Sequence, residues 1–162
     1  MKRLVLLVAV VATTLALAAG MALAQATTDT FTETVPVNSL AFNTCTEPAE
    51  IVLLTGDIHL LIHQTLDANG GIHVQTQSQP QGGGLLGTGQ TSGTQYKAVG
   101  VSQENVYLPP GEGSETTIVS RFQLVSEGSS VNTLLEVTIH LTFNANGEPT
   151  ARVLHSEIKC VG

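Results

Sequence analysis

The sequence predicts an all-β protein: a single antiparallel β-sandwich or small β-barrel of seven or eight strands, with one disulfide, preceded by a cleaved signal peptide. Three observations carry this. One extended motif ending in a turn occurs twice. Apolar and polar residues alternate with period two through most of the chain beyond residue 30. There are only two cysteines, Cys45 and Cys160, one towards each end of the domain.

The repeated motif is Ile62-His63-Gln64-Thr65-Leu66-Asp67-Ala68-Asn69-Gly70, which returns as Ile139-His140-Leu141-Thr142-Phe143-Asn144-Ala145-Asn146-Gly147 with six of nine positions identical. Asn-Gly between apolar runs is a short-range hairpin signal, because both residues tolerate positive φ. Two hairpins therefore organise the domain.

Residues 1–24 read as a signal peptide. Lys2 and Arg3 precede an apolar run from Leu4 to Ala19, and Ala22-Leu23-Ala24 fits cleavage before Gln25. The apolar run is short for a membrane span and is broken by Thr13, Thr14 and Gly20. No cysteine stands at the cleavage point to carry a lipid. The expectation is a secreted or extracytoplasmic protein, with residues 25–162 as one domain and no membrane association after cleavage.

Taken in order, residues 25–30 are polar and Thr-rich and read as loose. Phe31, Val35 and Val37 alternate with polar residues, so 31–38 reads as a strand, placed at an edge by Pro36. Ile51 to Leu66 is long and apolar, with Gly56 as a bulge or bend in one strand or a break between two. Ile58, Leu61, Ile62 and Leu66 also fit helical spacing, with Asp57 as N-cap. The second copy decides for a strand: Leu135, Val137, Ile139, Leu141 and Phe143 alternate with Glu136, Thr138, His140 and Thr142. The same phase puts Ile58, Leu60, Ile62 and Leu66 inward. Ile72 to Gln79 and Thr150 to Ile158 return from the two turns. Between the hairpins come a Gly-rich connection from Pro80 to Gly93, a strand from about Gln95 to Gln103, a Pro109-Pro110-Gly111 turn, and a strand from Thr116 to Val125.

Charge narrows the functional classes. Beyond the leader only Lys97, Arg121, Arg152 and Lys159 are basic, against 13 acidic residues, so losing Lys2 and Arg3 makes the formal charge of −7 still more negative. Such a domain has no basic stripe for phosphates or anionic lipids, which argues against nucleic-acid and membrane-surface partners. In an exported chain two cysteines pair by default, and a loop of about 100 residues closed this way is stabilised by roughly 4–5 kcal/mol. Neither cysteine has the Cys-x-x-Cys spacing of a redox site.

The motifs that suggest chemistry are weak ones. Gly82-Gly83-Gly84-Leu85-Leu86-Gly87 matches G-x-G-x-x-G, and residues 84–91 form a phosphate-loop pattern with Gln90 in place of lysine. A phosphate cradle needs a buried strand before it and a helix N-terminus after it, and neither is predicted. His59 and His63 on a strand lie roughly 13 Å apart, too far to share a metal. If Leu66 pairs with Ile72, then Thr65 faces His73 and His63 faces Gln75, so His63 and His73 become diagonal neighbours on one face. His140 holds the equivalent place in the second hairpin. These three histidines are candidate metal ligands that lack a completing carboxylate or cysteine, and no cofactor is expected. The G-x-S-x-G and S-x-x-K patterns are absent. Glu104, Glu112 and Glu115 are carboxylates that only geometry could promote to a catalytic pair. Tyr96 and Tyr107, with Gly87 and Gly89, are candidates for the mouth of a ligand cavity.

With these residues in view, the chain resembles a family of small secreted bacterial proteins of unknown function. The resemblance rests on a cysteine ahead of a long strand, then Gly56, Asp57 and His59, and Asp67-Ala68-Asn69-Gly70-Gly71-Ile72-His73-Val74. It continues through a Gly-rich stretch leading to Tyr96 and Gly100, then Asn144-Ala145-Asn146-Gly147-Glu148 and the terminal Cys160. It spans most of residues 43–160 and implies no reaction. The expected function is a non-enzymatic extracytoplasmic β-domain with a binding or structural role, with an apolar small molecule at the barrel mouth near Gly82–Tyr96 as its ligand. The rivals are a small β-barrel lyase or isomerase using Glu104, Tyr96 or a histidine, and a cell-surface component assembling through strand edges.

Overall fold

The two longest strands pair with each other along their whole length, and the rest of the sheet grows from the second of them. A computed structural model describes residues 26–111, 115–126, 133–144 and 148–161. The leader, Glu112 and the second Ala145-Asn146-Gly147 turn lie outside the described residues. Nine strands follow in order: β1 Thr27–Asn43, β2 Glu50–Leu66, β3 Ile72–Pro80, β4 Leu85–Gly89, β5 Gln95–Val99, β6 Ser102–Leu108, β7 Glu115–Ser126, β8 Thr133–Phe143 and β9 Pro149–Cys160. All ladders are antiparallel, and the described residues contain no helix.

β1 runs beside β2 from Thr27↔Leu66 to Asn43↔Glu50. The opposite edge of β2 is shared. Its second half pairs with β3, from Ile58↔Pro80 to Leu66↔Ile72, and its first half with β4, from Val52↔Gly89 to Thr55↔Leu86. Gly56 sits at this branch with φ +134°, and a Cβ there would lie 2.5 Å from the Gly84 carbonyl oxygen. Only glycine lets β2 bend so that two strands dock on one edge. Of the two readings of Gly56, the bend within one strand is the one observed.

The strand order is β6-β3-β2-β4-β5-β7-β8-β9, with β1 attached to β2. This is one sheet whose ladders do not close into a ring. Its free edges are instead stitched by side chains. Ser39 on β1 donates to Ser156 on β9 (2.9 Å), and the Cys45–Cys160 disulfide joins the same region with Cα atoms 5.3 Å apart. On the other side the Glu104 carboxylate of β6 accepts the Val119 N–H of β7 (2.6 Å), and Ser78 of β3 donates to Ser120 of β7 (2.7 Å). The expected choice between sandwich and barrel thus resolves into an open sheet, with one set of inward side chains forming a single core.

That core follows the predicted alternation. Ile58, Leu60 and Ile62 on β2 and Leu135, Val137, Ile139, Leu141 and Phe143 on β8 are buried together with Phe122, Leu124 and Ile118. Leu66 is a correction. It shares the phase of Ile62 but is 44% exposed, because the end of β2 runs past the edge of the core. Nine strands replace the seven or eight expected for two reasons. The Gly-rich connection contains β4, whose alternating Leu85, Gly87 and Gly89 face inward, and the strand predicted over 95–103 breaks at Gly100 (φ +112°) into β5 and β6. The first strand also starts earlier than predicted, at Thr27, since its polar threonines pair with the exposed end of β2.

The two hairpins share their turn chemistry. Asp67 N–H donates to the Gly71 carbonyl (2.8 Å) and Gly71 N–H to Asp67 Oδ1 (2.9 Å). At the equivalent positions Asn144 N–H donates to the Glu148 carbonyl (3.0 Å) and Glu148 N–H to Asn144 Oδ1 (3.0 Å). In the first turn only Gly70 has positive φ, and Asn69 does not. The Asx side chain at the head of the turn, rather than an Asn-Gly pair, therefore sets its width.

Candidate functional site

Two of the regions that gather polar side chains adjoin a recess. The first is built where β1, β2, β4 and β5 meet near the disulfide. Glu50 opens β2 and is buried, with its carboxylate directed at the β4–β5 turn. It accepts the Ser92 N–H (3.0 Å), the Ser92 hydroxyl (2.9 Å), the Thr91 N–H (3.4 Å) and the Tyr96 hydroxyl (3.2 Å). Asn43, fully buried at the end of β1, donates to Tyr96 Oη (3.3 Å) and accepts the Cys45 N–H (2.9 Å). The chain of contacts thus runs from the disulfide to the β4–β5 turn. Burial pushes the Glu50 carboxyl up, but the hydrogen bonds from Ser92, Tyr96 and Thr91 outweigh it and hold it below the ordinary value. Burial, together with the adjacent Glu50 charge, pushes the Tyr96 phenol up. A recess of about 270 Å³ adjoins this network, lined by Thr46, Glu47, Pro48, Ser92 and Thr94.

Gly87 and Gly89 belong to this region. A Cβ on Gly87 would meet Val52 Cγ1 at 2.8 Å and Tyr96 Cβ at 3.2 Å, and a Cβ on Gly89 would fall onto the Glu50 carboxylate. They give up their side chains to seat Tyr96 and Glu50. Of the residues read from the sequence as a cavity mouth, Gly87 packs against Tyr96 and Gly89 against Glu50, while Tyr96 is buried and borders a recess. That recess, of about 410 Å³, is lined by Tyr96 together with Leu86, Gln95, Lys97, Val125 and Ser126.

Tyr107 stands apart from them, in the second region. Strands β1, β2, β3 and β6 lie side by side, and their register lines up two rows on the outward face. One row is Thr30, His63, Gln75 and Asn105; the other is Thr28, Thr65, His73 and Tyr107. The sequence-derived pairing of Thr65 with His73 and of His63 with Gln75 is the observed one. The His73 and Tyr107 rings are 4.7 Å apart at 36°. His73 Nε2 lies 3.4 Å from Asp67 Oδ2, and His63 Nδ1 lies 2.9 Å from Thr30 Oγ1. The N–H groups of Gly71 and Asn69 hold the Asp67 carboxyl below the usual range, with His73 adding to the effect. Tyr107 itself packs over Gly71, where a Cβ would collide with its ring. The result is a recess of about 430 Å³.

His140 is not brought to this patch. It sits on β8 with Nε2 3.3 Å from Glu115 Oε2 on β7. Among the described residues no three or more His, Cys, Asp or Glu side chains converge as a metal site. Residues 85–89 of the phosphate-loop look-alike form β4, not a helix N-terminus. Glu104 is occupied by Val119 N–H. Sequence reasoning missed Glu50, Ser92 and Asn43. The available signal was a lone acid at the head of the apolar run Ile51-Val52-Leu53-Leu54, a position that requires a partner once buried.

Fold and sites define an all-β, disulfide-closed domain built on one antiparallel sheet. No protein-family model matches the chain, and neither a curated protein nor a solved structure matches it.

Proposed function

We propose that this chain is an exported, non-enzymatic β-module, secreted by a bacterium, that binds its ligand on the outer face of strands β2, β3 and β6. The observation that carries this reading is the contrast between inside and outside. The interior is occupied by packed aliphatic side chains, whereas a recess bordered by His63, His73, Gln75, Asn105 and Tyr107 lies on the outside. At about 430 Å³ it falls in the range of small-molecule sites. The disulfide accords with an oxidising compartment. The paired turns and the two cysteines also support kinship with the small secreted bacterial proteins that the sequence resembles.

The test is a ¹⁵N-correlation spectrum of the protein titrated with a chemically diverse set of small molecules and oligosaccharides. Shift changes centred on Thr65, His73, Gln75, Asn105 and Tyr107, without turnover of the ligand, support the proposal. Changes centred on Leu86, Lys97 and Val125 instead favour a second reading, an apolar ligand at the β4–β5–β7 recess. Two exposed aliphatics, Leu86 and Val125, support that alternative. Conversion of a ligand, abolished by Glu50→Gln, would favour the small-barrel lyase or isomerase, whose support is the Glu50–Tyr96 pair beside its recess.

A further inference from the structure

The outward grid on β1, β2, β3 and β6 offers a particular chemistry. One aromatic ring, Tyr107, is 48% exposed, yet it is not free to collapse. The His73 ring borders it, Asp67 orients His73, and the backbone of Gly71 lies beneath it. Next to this ring stand the amides of Gln75 and Asn105, cross-strand partners that engage no side-chain hydrogen bond among the described residues. Each amide presents two donors and an acceptor. No Lys or Arg lines the recess.

These features discriminate among ligands. An apolar molecule would strip water from the Gln75 and Asn105 amides without replacing their hydrogen bonds, which is unfavourable. A phosphate or carboxylate would find no cation, would face Asp67, and would approach an acidic domain. A ligand with an apolar C–H face and a rim of uncharged hydroxyls matches both elements: the face stacks on Tyr107 and the hydroxyls pair with the amides and imidazoles. The rows cross four strands at about 4.8 Å spacing and are roughly 14 Å long, enough for a short saccharide chain to extend beyond the recess itself.

We infer that the Tyr107–His73–Gln75–Asn105 face is a binding site for a neutral saccharide chain. The inference rests on the outer-face reading above and specifies its ligand. Its test is isothermal titration of the oxidised protein with β-1,4-linked hexaoses of glucose, N-acetylglucosamine and mannose, with oligogalacturonate as the anionic control. At least one neutral hexaose binds. Tyr107→Ala weakens that binding about tenfold or more, as expected for loss of an aromatic stacking partner, while Tyr107→Phe stays within about threefold. Asn105→Ala weakens it as well, and thermal midpoints of the three variants confirm that each is folded. Preference for oligogalacturonate, binding indifferent to Tyr107→Ala and Asn105→Ala, or no binding by any neutral hexaose overturns the inference. The outer-face reading fails separately, if the ¹⁵N shifts caused by other ligands map to Leu86 and Val125 or to the Glu50 recess.

Discussion

Ser92 grips Glu50 from two directions, donating its backbone N–H to Oε2 at 3.0 Å while its hydroxyl lies 2.9 Å from both carboxylate oxygens. The pair joins residues 42 positions apart and pins the β4–β5 turn to the head of β2. Because Glu50 is buried, every lost bond leaves a donor without a partner. Glu50→Gln is therefore expected to lower unfolding stability by about 1–3 kcal/mol. Urea denaturation read by far-UV circular dichroism measures it, and an unchanged midpoint would show that the clasp contributes nothing.

The same clasp gives the domain an acid sensitivity. The folded state holds Glu50 below its ordinary value of 4.5, and does the same for Glu136 through hydrogen bonds from Lys159 and Arg121. Both groups bind protons less readily folded than unfolded. The stability they contribute is fully present above pH 4.5 and is lost as pH falls through their lower folded values. The thermal midpoint should therefore drop as pH falls below 4.5, and Glu50→Gln should drop less on the same acidification. A flat or rising profile would contradict this linkage.

Gly89 and Gly87 leave room for the Glu50 carboxylate and for Tyr96. Adding one methyl group at either position forces strand β4 away from β2. Gly89→Ala and Gly87→Ala should each cost about 1–3 kcal/mol through overpacking. Gly83, where a Cβ would meet nothing within 4 Å, serves as the control. Gly83→Ala should be close to neutral in the same thermal melts.

The Cys45–Cys160 bridge closes a sequence separation of 115 residues, across a seam that has side-chain contacts but no ladder. Removing it in the Cys45→Ser, Cys160→Ser double variant is expected to cost about 2–5 kcal/mol. The loss should appear first as faster amide exchange in β1 and β9. Equal acceleration throughout the sheet would mean that the bridge does not act on that seam.

Much of this molecule follows from local pattern. Strand identity, the inward rows on β2 and β8, the pairing of Thr65 with His73, and the matched turns are all consequences of period-two alternation and Asx chemistry, which act over a few residues. The sulfur pair needed only a count of two and the leader-like pattern that raises the expectation of export. The hidden clasp is different in kind. Glu50 and Ser92 carry no motif, and their meeting depends on Gly56 bending β2 so that β4 can dock beside β3. Tyr107 likewise joined His73 rather than Tyr96 because Gly100 ends β5 and sends β6 back to β3. Alternation sets which way a side chain faces, since that is a property of one strand. Which strands become neighbours is settled by the competition of all inward rows for one core, and no short window of residues contains that information.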